Sequence, residues 1–311
     1  MTYQIISLGN QTSDLHSGIQ IAVANIPVSR EDILANCQGS PNLSVARHDR
    51  LAQLLNEVSS FRGPAGRRIE LLVFPELSLP ASWLPMITAW ARRRRIGVIC
   101  GLEHQIRGGE ALNEMVVALP FVQSGAHWAC APIHRLKRHY SPREEFMLAN
   151  LGMRVPDRAG VQYQLFRWRG ASFAVYNCFE LACIKDRSIF MGKVDFIVVI
   201  EYNHDVDYFS NIVEAAARDL HCYVVQVNNS GFGDSRVVSP ADARHGTPLQ
   251  MTGGENTTFL TMALNLKALR AYQRVGYGMQ RDSKAFKPTP PGFQIRDVQT
   301  RIRLGGRRAL A

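Results

Sequence analysis

The sequence predicts an α/β fold in which two β-sheets lie face to face with helices outside them, and three observations predict it. Short runs rich in β-branched residues alternate with amphipathic helical stretches. Several of those runs are apolar on both faces, as expected of sheets covered on each side. In the middle of the chain, strands follow one another without helices between them (115–133, then 163–177). That implies hairpins, which a simple doubly wound sheet does not contain.

Taken in order, residues 1–18 read as a leader or an extra strand ahead of a main domain over 19–275. Strands are expected at 19–26 (IQIAVANI), 69–74, 96–101, 115–120, 127–133, 163–168, 172–177, 195–201, 223–229 and 257–265. Helical patterns occupy 45–60, 83–95, 181–192 and 207–220; in the third, Leu181, Ile184, Ser188 and Met191 recur at helical spacing. The segment 27–44, carrying Pro27, Gly39 and Pro41, reads as a loop. Beyond Gln273 the stretch RVGYGMQRDSKAFKPTPPGF has no regular period, so 276–311 reads as an irregular, basic C-terminal extension.

Composition narrows the class. Over 311 residues, 46% are apolar and 20% charged, which excludes a disordered or collagen-like chain. Unbroken apolar runs are as short as Phe196–Ile200, far below the ~18–20 residues that cross a bilayer, so no membrane partner is expected. The first residues lack a basic stretch followed by an apolar core, so no secretory signal is read there and the expected location is cytoplasmic. Six cysteines (37, 100, 130, 178, 183 and 222) form no CxxC pair, and a chain this long needs no disulfide framework. The histidines show no HExxH spacing, so no metal site is predicted. The net charge of +10 raises nucleic acid as a partner. Yet the run Arg92–Arg95 ends a predicted helix, where cations complement the dipole, and the basic tail (Arg296, Arg301, Arg303, Arg307, Arg308) lacks aromatics to stack on bases.

Three strand ends carry reactive side chains. In ELLVFPE, Pro75 forces an extended Phe74, ends the ladder and leaves Glu76 projecting from the sheet edge. There it is either a desolvated base with a raised pKa or a salt-bridge partner. Cys178 ends FAVYNC and precedes a predicted helix, whose N–H groups favour a thiolate and could hold an oxyanion. Cys100, Cys130 and Cys222 sit within apolar strands and read as inert core thiols. The segment HRLKRHYSPREE carries Lys137 and Glu145 on what reads as a charged loop around Pro142.

Together, VFPEL with Glu76, HRLKRHYSPREE with Lys137 and Glu145, and YNCFE with Cys178 resemble the nitrilase, or carbon–nitrogen hydrolase, superfamily over roughly residues 19–273. Flanking segments AAARDLHCYVVQVNNSG, GDSRVV and TTFLTMALNLKALRAYQ resemble its later elements. The resemblance implies a four-layer α-β-β-α sandwich and a thiol-dependent hydrolase of a non-peptide C–N bond. Amide or carbamoyl substrates are favoured over nitriles, no cofactor is used, and homo-oligomers, typically dimers, are expected. It implies that Cys178 is the nucleophile and Glu76 the base. Lys137 with the backbone N–H of Phe179 would stabilise the tetrahedral intermediate, and Glu145 would orient Lys137 or the substrate amine. The chain departs from the pattern in having Glu180 where Asp is usual, CIKDRSIF where a Pro-Glu commonly follows, and a different ending after 274. Two other readings remain. One is a nitrilase-like interaction module, partnered with another protein such as a phage-defence reverse transcriptase. The other is a Cys–His thiol enzyme using His204 or His221, neither of which carries a motif tying it to Cys178.

Overall fold

The β-branched runs assemble into two stacked sheets. The structure, a computed structural model, describes residues 3–8, 18–123, 127–241 and 246–305. In chain order the strands are β1 (Tyr3–Ser7), β2 (Ile19–Asn25), β3 (Leu71–Val73), β4 (Gly97–Gly101), β5 (Gln105–Arg107), β6 (Glu110–Leu112), β7 (Glu114–Val122) and β8 (Trp128–Leu136). They continue as β9 (Tyr163–Trp168), β10 (Ala171–Asn177), β11 (Phe196–Glu201), β12 (Tyr223–Asn228), β13 (Ser235–Val238), β14 (Leu249–Met251) and β15 (Thr258–Leu264). One sheet runs β15-β2-β3-β4-β7-β8 and the other β1-β9-β10-β11-β12-β13-β14, while β5 and β6 form a separate hairpin. The central pairs β2–β3–β4 and β10–β11–β12 are parallel, and β7–β8 and β9–β10 are the hairpins expected from the sequence.

Alternation along each strand fixes the layers, because successive side chains point to opposite faces. Ile21, Val23, Val73 and Ile99 of the first sheet meet Phe166, Phe173, Phe196 and Val198 of the second in one core. The opposite face of the first sheet, with Ala22, Leu72, Val98 and Val116, is covered by α2 (Val45–Ser60) and α3 (Leu84–Arg94) through Leu54, Val58, Ile87 and Trp90. The outer face of the second, with Ala174, Tyr176, Ile197 and Val224, is covered by α6 (Val206–Leu220) through Val213, Ala216 and Leu220. The order is helix, sheet, sheet, helix, and no helix of the described residues is long and apolar enough to cross a membrane.

Four sequence expectations are revised. The segment 27–44 is not all loop: α1 (Arg30–Cys37) begins at Ser29, whose side chain accepts the Asp32 N–H, and buries Ile33 and Cys37. The loop expected around Pro142 is α4 (Pro142–Asn150), capped by Ser141. The helix expected over 181–192 breaks into a 3₁₀ turn (Cys178–Ala182) and the short α5 (Ile184–Ser188). Here buried polar anchors override the apolar period: Glu180 turns inward onto Arg135, and Asp186 accepts from Tyr163 Oη at 3.0 Å and lies 2.6 Å from His139 Nε2. Nor is the C-terminal extension irregular throughout, since it contains α8 (Tyr277–Ser283) and α9 (Ile295–Gly305). α9 docks through buried Val298 and Arg301; Arg301 shares Asp195 with Arg270, which belongs to α7 (Leu266–Gln273). Near the N-terminus Tyr3–Ser7 pairs in parallel with β9, whereas 9–17 and the tail's Arg307 and Arg308 lie outside the described residues.

Candidate active site

The three strand ends converge on one cavity of about 840 Å³, whose lining includes Glu76, Lys137, Glu144 and Cys178. Glu76 leaves β3 through Pro75, and the next residue, Leu77, takes a left-handed backbone (φ 55°). This turn rests on Gly101 at the end of β4: a Cβ there would lie 2.5 Å from Glu76 Cα, and the Gly101 N–H donates to the Pro75 carbonyl. Gly101→Ala is therefore expected to cost about 2 kcal/mol or more by overpacking. Because the intruding atom pushes on the backbone of Glu76, turnover should fall with it; thermal denaturation and steady-state rates of the purified variant check both effects.

Lys137, just beyond β8, is 1% exposed and donates to Glu76 Oε1 and Glu144 Oε2, each at 2.6 Å. The glutamate that meets Lys137 is thus Glu144, not the expected Glu145. On α4 consecutive residues are about 100° apart, so only one of the pair can face Lys137. Glu145 points to solvent and pairs with Arg158 at 3.3 Å. A sequence signal for Glu144 existed: Ser141-Pro-Arg-Glu144 is a capping pattern, and the Ser141 Oγ accepts the Glu144 N–H.

Asn113, in the link between β6 and β7, ties the carboxylates together and has no exposed surface. Its Nδ2 donates to Glu76 Oε1 (2.8 Å) and Glu144 Oε1 (2.7 Å), and its Oδ1 accepts from Asn177 Nδ2 (2.9 Å). Behind Glu144 lies buried His104, 3.1 Å from Glu144 Oε1 and 3.9 Å from the Cys37 sulfur. Neither residue has a local sequence signature.

Cys178 adopts a left-handed backbone (φ 50°), at a cost of order 1 kcal/mol, which turns the chain sharply out of β10. Glu180 holds that turn. Its carboxylate accepts from the two terminal guanidinium nitrogens of Arg135 at 2.7 Å, the Asn177 N–H at 2.7 Å and the Arg138 N–H at 2.5 Å. The longer Glu in place of Asp thus joins the elbow to β8. Phe179 follows at the second position of the 3₁₀ turn, where a backbone N–H has no partner within its own helix.

Electrostatics separate the two carboxylates. Burial raises Glu76 despite the Lys137 ammonium beside it. Burial also disfavours charge on Glu144, but Lys137 and His104 outweigh it and hold that carboxyl well below its usual range. Lys137 loses solvation, yet Glu144 and Glu76 together keep its ammonium protonated well above the ordinary lysine value. The Cys178 thiol is raised well above its usual value by burial and by Glu76, with Lys137 and the Tyr202 N–H opposing. The expected thiolate is therefore corrected to a resting thiol, because the short buried turn desolvates the sulfur more than its N–H groups stabilise it. Glu201, at the end of β11, is raised by burial to about 8 and adds little negative charge near neutral pH. Of the core thiols, burial raises Cys100 to about 12 and Cys130 to about 11.

His104 loses solvation on burial, but its bonds to Cys37 and Glu144 carry it up to about 9. Its folded value exceeds the unfolded ~6.5, so the stabilisation is complete below pH ~6.5 and is lost as pH rises towards 9. His104→Gln is expected to remove that slope: wild type should lose melting temperature between pH 6.5 and 9 relative to the variant. A matching slope in both proteins would exclude this role.

His221 lies elsewhere, donating to the Lys287 carbonyl at 2.7 Å, whereas His204 lines the cavity. His139, Cys183 and Asp186 bring potential ligand atoms within 4.8 Å of one another, but Arg138 Nε sits 3.3 Å from the same Asp186 oxygen and opposes a cation there.

No family model and no curated protein matches the sequence. Solved structures do match in shape. A CN-hydrolase superfamily protein from Xanthomonas campestris, bearing an arsenic adduct in its active site, superposes with a TM-score of 0.56 at 15% identity, covering 87% of this chain and 99% of its own. An amidase from Nesterenkonia sp. gives 0.54 at 16% identity, over 86% and 96%. A mutant of that amidase with the acetamide moiety of fluoroacetamide on its active-site cysteine gives 0.55 at 14%, over 86% and 97%. The four layers and this near-complete coverage agree: the chain has the fold of the CN-hydrolase, or nitrilase, superfamily.

Proposed function

We propose that the protein hydrolyses a non-peptide carbon–nitrogen bond, an amide or carbamoyl group, through an acyl-enzyme on Cys178. The observation that carries this reading is a buried thiol lining the same cavity as a carboxylate of raised pKa and a fixed ammonium.

Pairs of carboxylates pushed apart in pKa divide the labour of proton transfer. Glu76 takes the Cys178 proton as Sγ attacks the carbonyl carbon, and the carbonyl electron pair moves onto oxygen. Lys137 and the Phe179 N–H stabilise that oxyanion. The protonated Glu76 then gives its proton to the departing amine as the C–N bond breaks, leaving a thioester. Water, deprotonated by Glu76, attacks the thioester; the acid product leaves and the thiol is restored. Glu144 stays ionised throughout and aims Lys137. A mutant of the Nesterenkonia amidase carries the acetamide moiety of fluoroacetamide on its active-site cysteine, and a nucleophilic Cys178 is expected to take the same alkyl adduct with loss of fluoride.

Intact mass spectrometry tests the reading. Fluoroacetamide and a panel of aliphatic amides should leave acetamide or acyl mass on the wild-type protein. Adducts that persist in Cys178→Ala, or none with any reagent, would sink it.

A further inference from the structure

The catalytic cavity lies at one end of the sandwich, and the opposite end carries a row of arginines. β3 and β4 run parallel towards the cavity, β7 runs back and β8 returns to Lys137, so the starts of β3, β4 and β8 meet at the far end. Arg68 precedes β3, Arg92, Arg93 and Arg94 close α3, and Arg95 leads into β4; all are exposed. Leu71 pairs with Gly97, so Arg68 and Arg94, equally far ahead of that pair, enter on adjacent chains. The Gly97 N–H donates to the Glu70 carbonyl at 2.7 Å and fixes this approach. Arg95, in a left-handed backbone (φ 58°), lays its guanidinium 4.8 Å from the centroid of the Trp128 ring at the start of β8. From the turn between β9 and β10, Arg169 donates to the Arg95 carbonyl at 2.7 Å and stacks 4.4 Å from the Trp168 ring. Arg92 acts on β8 as well, for it opposes the burial that raises the Cys130 thiol. Counter-charge is sparse. Glu70 pairs with Arg169 at 3.3 Å, and Glu57 in the last turn of α2 accepts from Gln53. Buried arginines such as Arg135 and Arg270 are committed to carboxylates, whereas Arg68, Arg92, Arg93 and Arg94 make no ion pair among the described residues.

We propose that this row is a docking surface for the phosphate backbone of a nucleic acid. One or two cations offset a helix dipole; four adjacent guanidinium groups exceed it and repel one another. From β3 to β8 the row follows about 14 Å of sheet edge, so it presents a line of charge rather than a pocket. A line matches successive phosphates better than one small anion, and guanidinium binds phosphate through paired, charge-assisted hydrogen bonds. Trp128 lies under Arg95, an arrangement that suits stacking against bases more than insertion into lipid. None of these arginines lines the catalytic cavity, so the surface is independent of the hydrolase reading.

Fluorescence anisotropy tests it, with labelled oligouridylate and oligothymidylate of about 20 nucleotides and a duplex of similar length, between about 50 and 200 mM salt. Wild type should bind at least one of the three, with a slope of log affinity against log salt steeper than about −2. Arg68→Gln/Arg94→Gln should weaken that binding about 10-fold at low salt and flatten the slope by about 1.4, the share of two phosphate contacts on a single strand. The control Arg107→Gln/Arg154→Gln removes the same charge from exposed positions on β5 and beside β6, at the catalytic end, and should change neither value. Melting temperatures confirm that both variants fold. Whichever of RNA, DNA strand or duplex binds most tightly identifies the form of nucleic acid that is taken. No binding at the lowest salt, or equal weakening in both variants, overturns the proposal. Tighter binding to phosphatidylserine vesicles or to polyglutamate than to every nucleic acid overturns it too, in favour of a lipid or an acidic protein.

Discussion

Cys178→Ala is expected to lower amide turnover by on the order of 10⁵-fold or more, the scale of losing a covalent nucleophile from a unit whose parts act together. Cys183→Ala, five residues on, should keep most of the activity, because Cys183 ends the 3₁₀ turn and is absent from the cavity lining. The contrast is informative because both thiols lie on the segment that leaves β10, so a general loosening of that segment would affect both variants. Steady-state rates on an aliphatic amide, with melting temperatures to confirm folding, make the comparison. Equal rates in wild type and Cys178→Ala would remove the thiol from the reaction.

Much of this arrangement was legible in the sequence because strand ends are local. Pro75 after an apolar run announces where β3 stops and Glu76 emerges, and the run into Cys178 announces the end of β10. The layers were legible for a similar reason, since strands apolar on both faces require cover on both. What was not legible depends on which strand lies beside which. Asn113 becomes the hub of two carboxylates only because β7 pairs with β4, and His104 reaches Glu144 only because α4 folds back over the hairpin region. The choice of Glu145 over Glu144 failed at a point where local reasoning would have sufficed: reading Pro142 as a helix start and Ser141 as its cap puts Glu144 in the first turn. The thiolate expectation failed differently, since charge at a sulfur is set by burial on all sides, and no local pattern reports that.

The second large effect is expected at the base and its cation. Glu76→Gln keeps the shape of the side chain and its capacity to accept from Lys137, but removes the group that takes and returns the proton. A loss of about 10²–10⁴-fold in kcat/KM is expected. Lys137→Met should lose at least as much, for two charges are disturbed at once: the oxyanion loses its cation, and Glu76 and Glu144 are left facing each other across Asn113 with no ammonium between them. The pH dependence carries the sign. Burial raises Glu76, so its base form is lost at a higher pH than for an ordinary glutamate, and kcat/KM in wild type should fall on acidification through that raised value. Lys137 stays protonated well above the usual lysine range and so contributes no alkaline limb near neutrality. In Glu76→Gln the residual rate should lose the acid limb, whereas in Lys137→Met the limb should remain and move up, because the one cause that lowers Glu76 most has gone. An acid limb unchanged in Glu76→Gln would show that another group accepts the thiol proton.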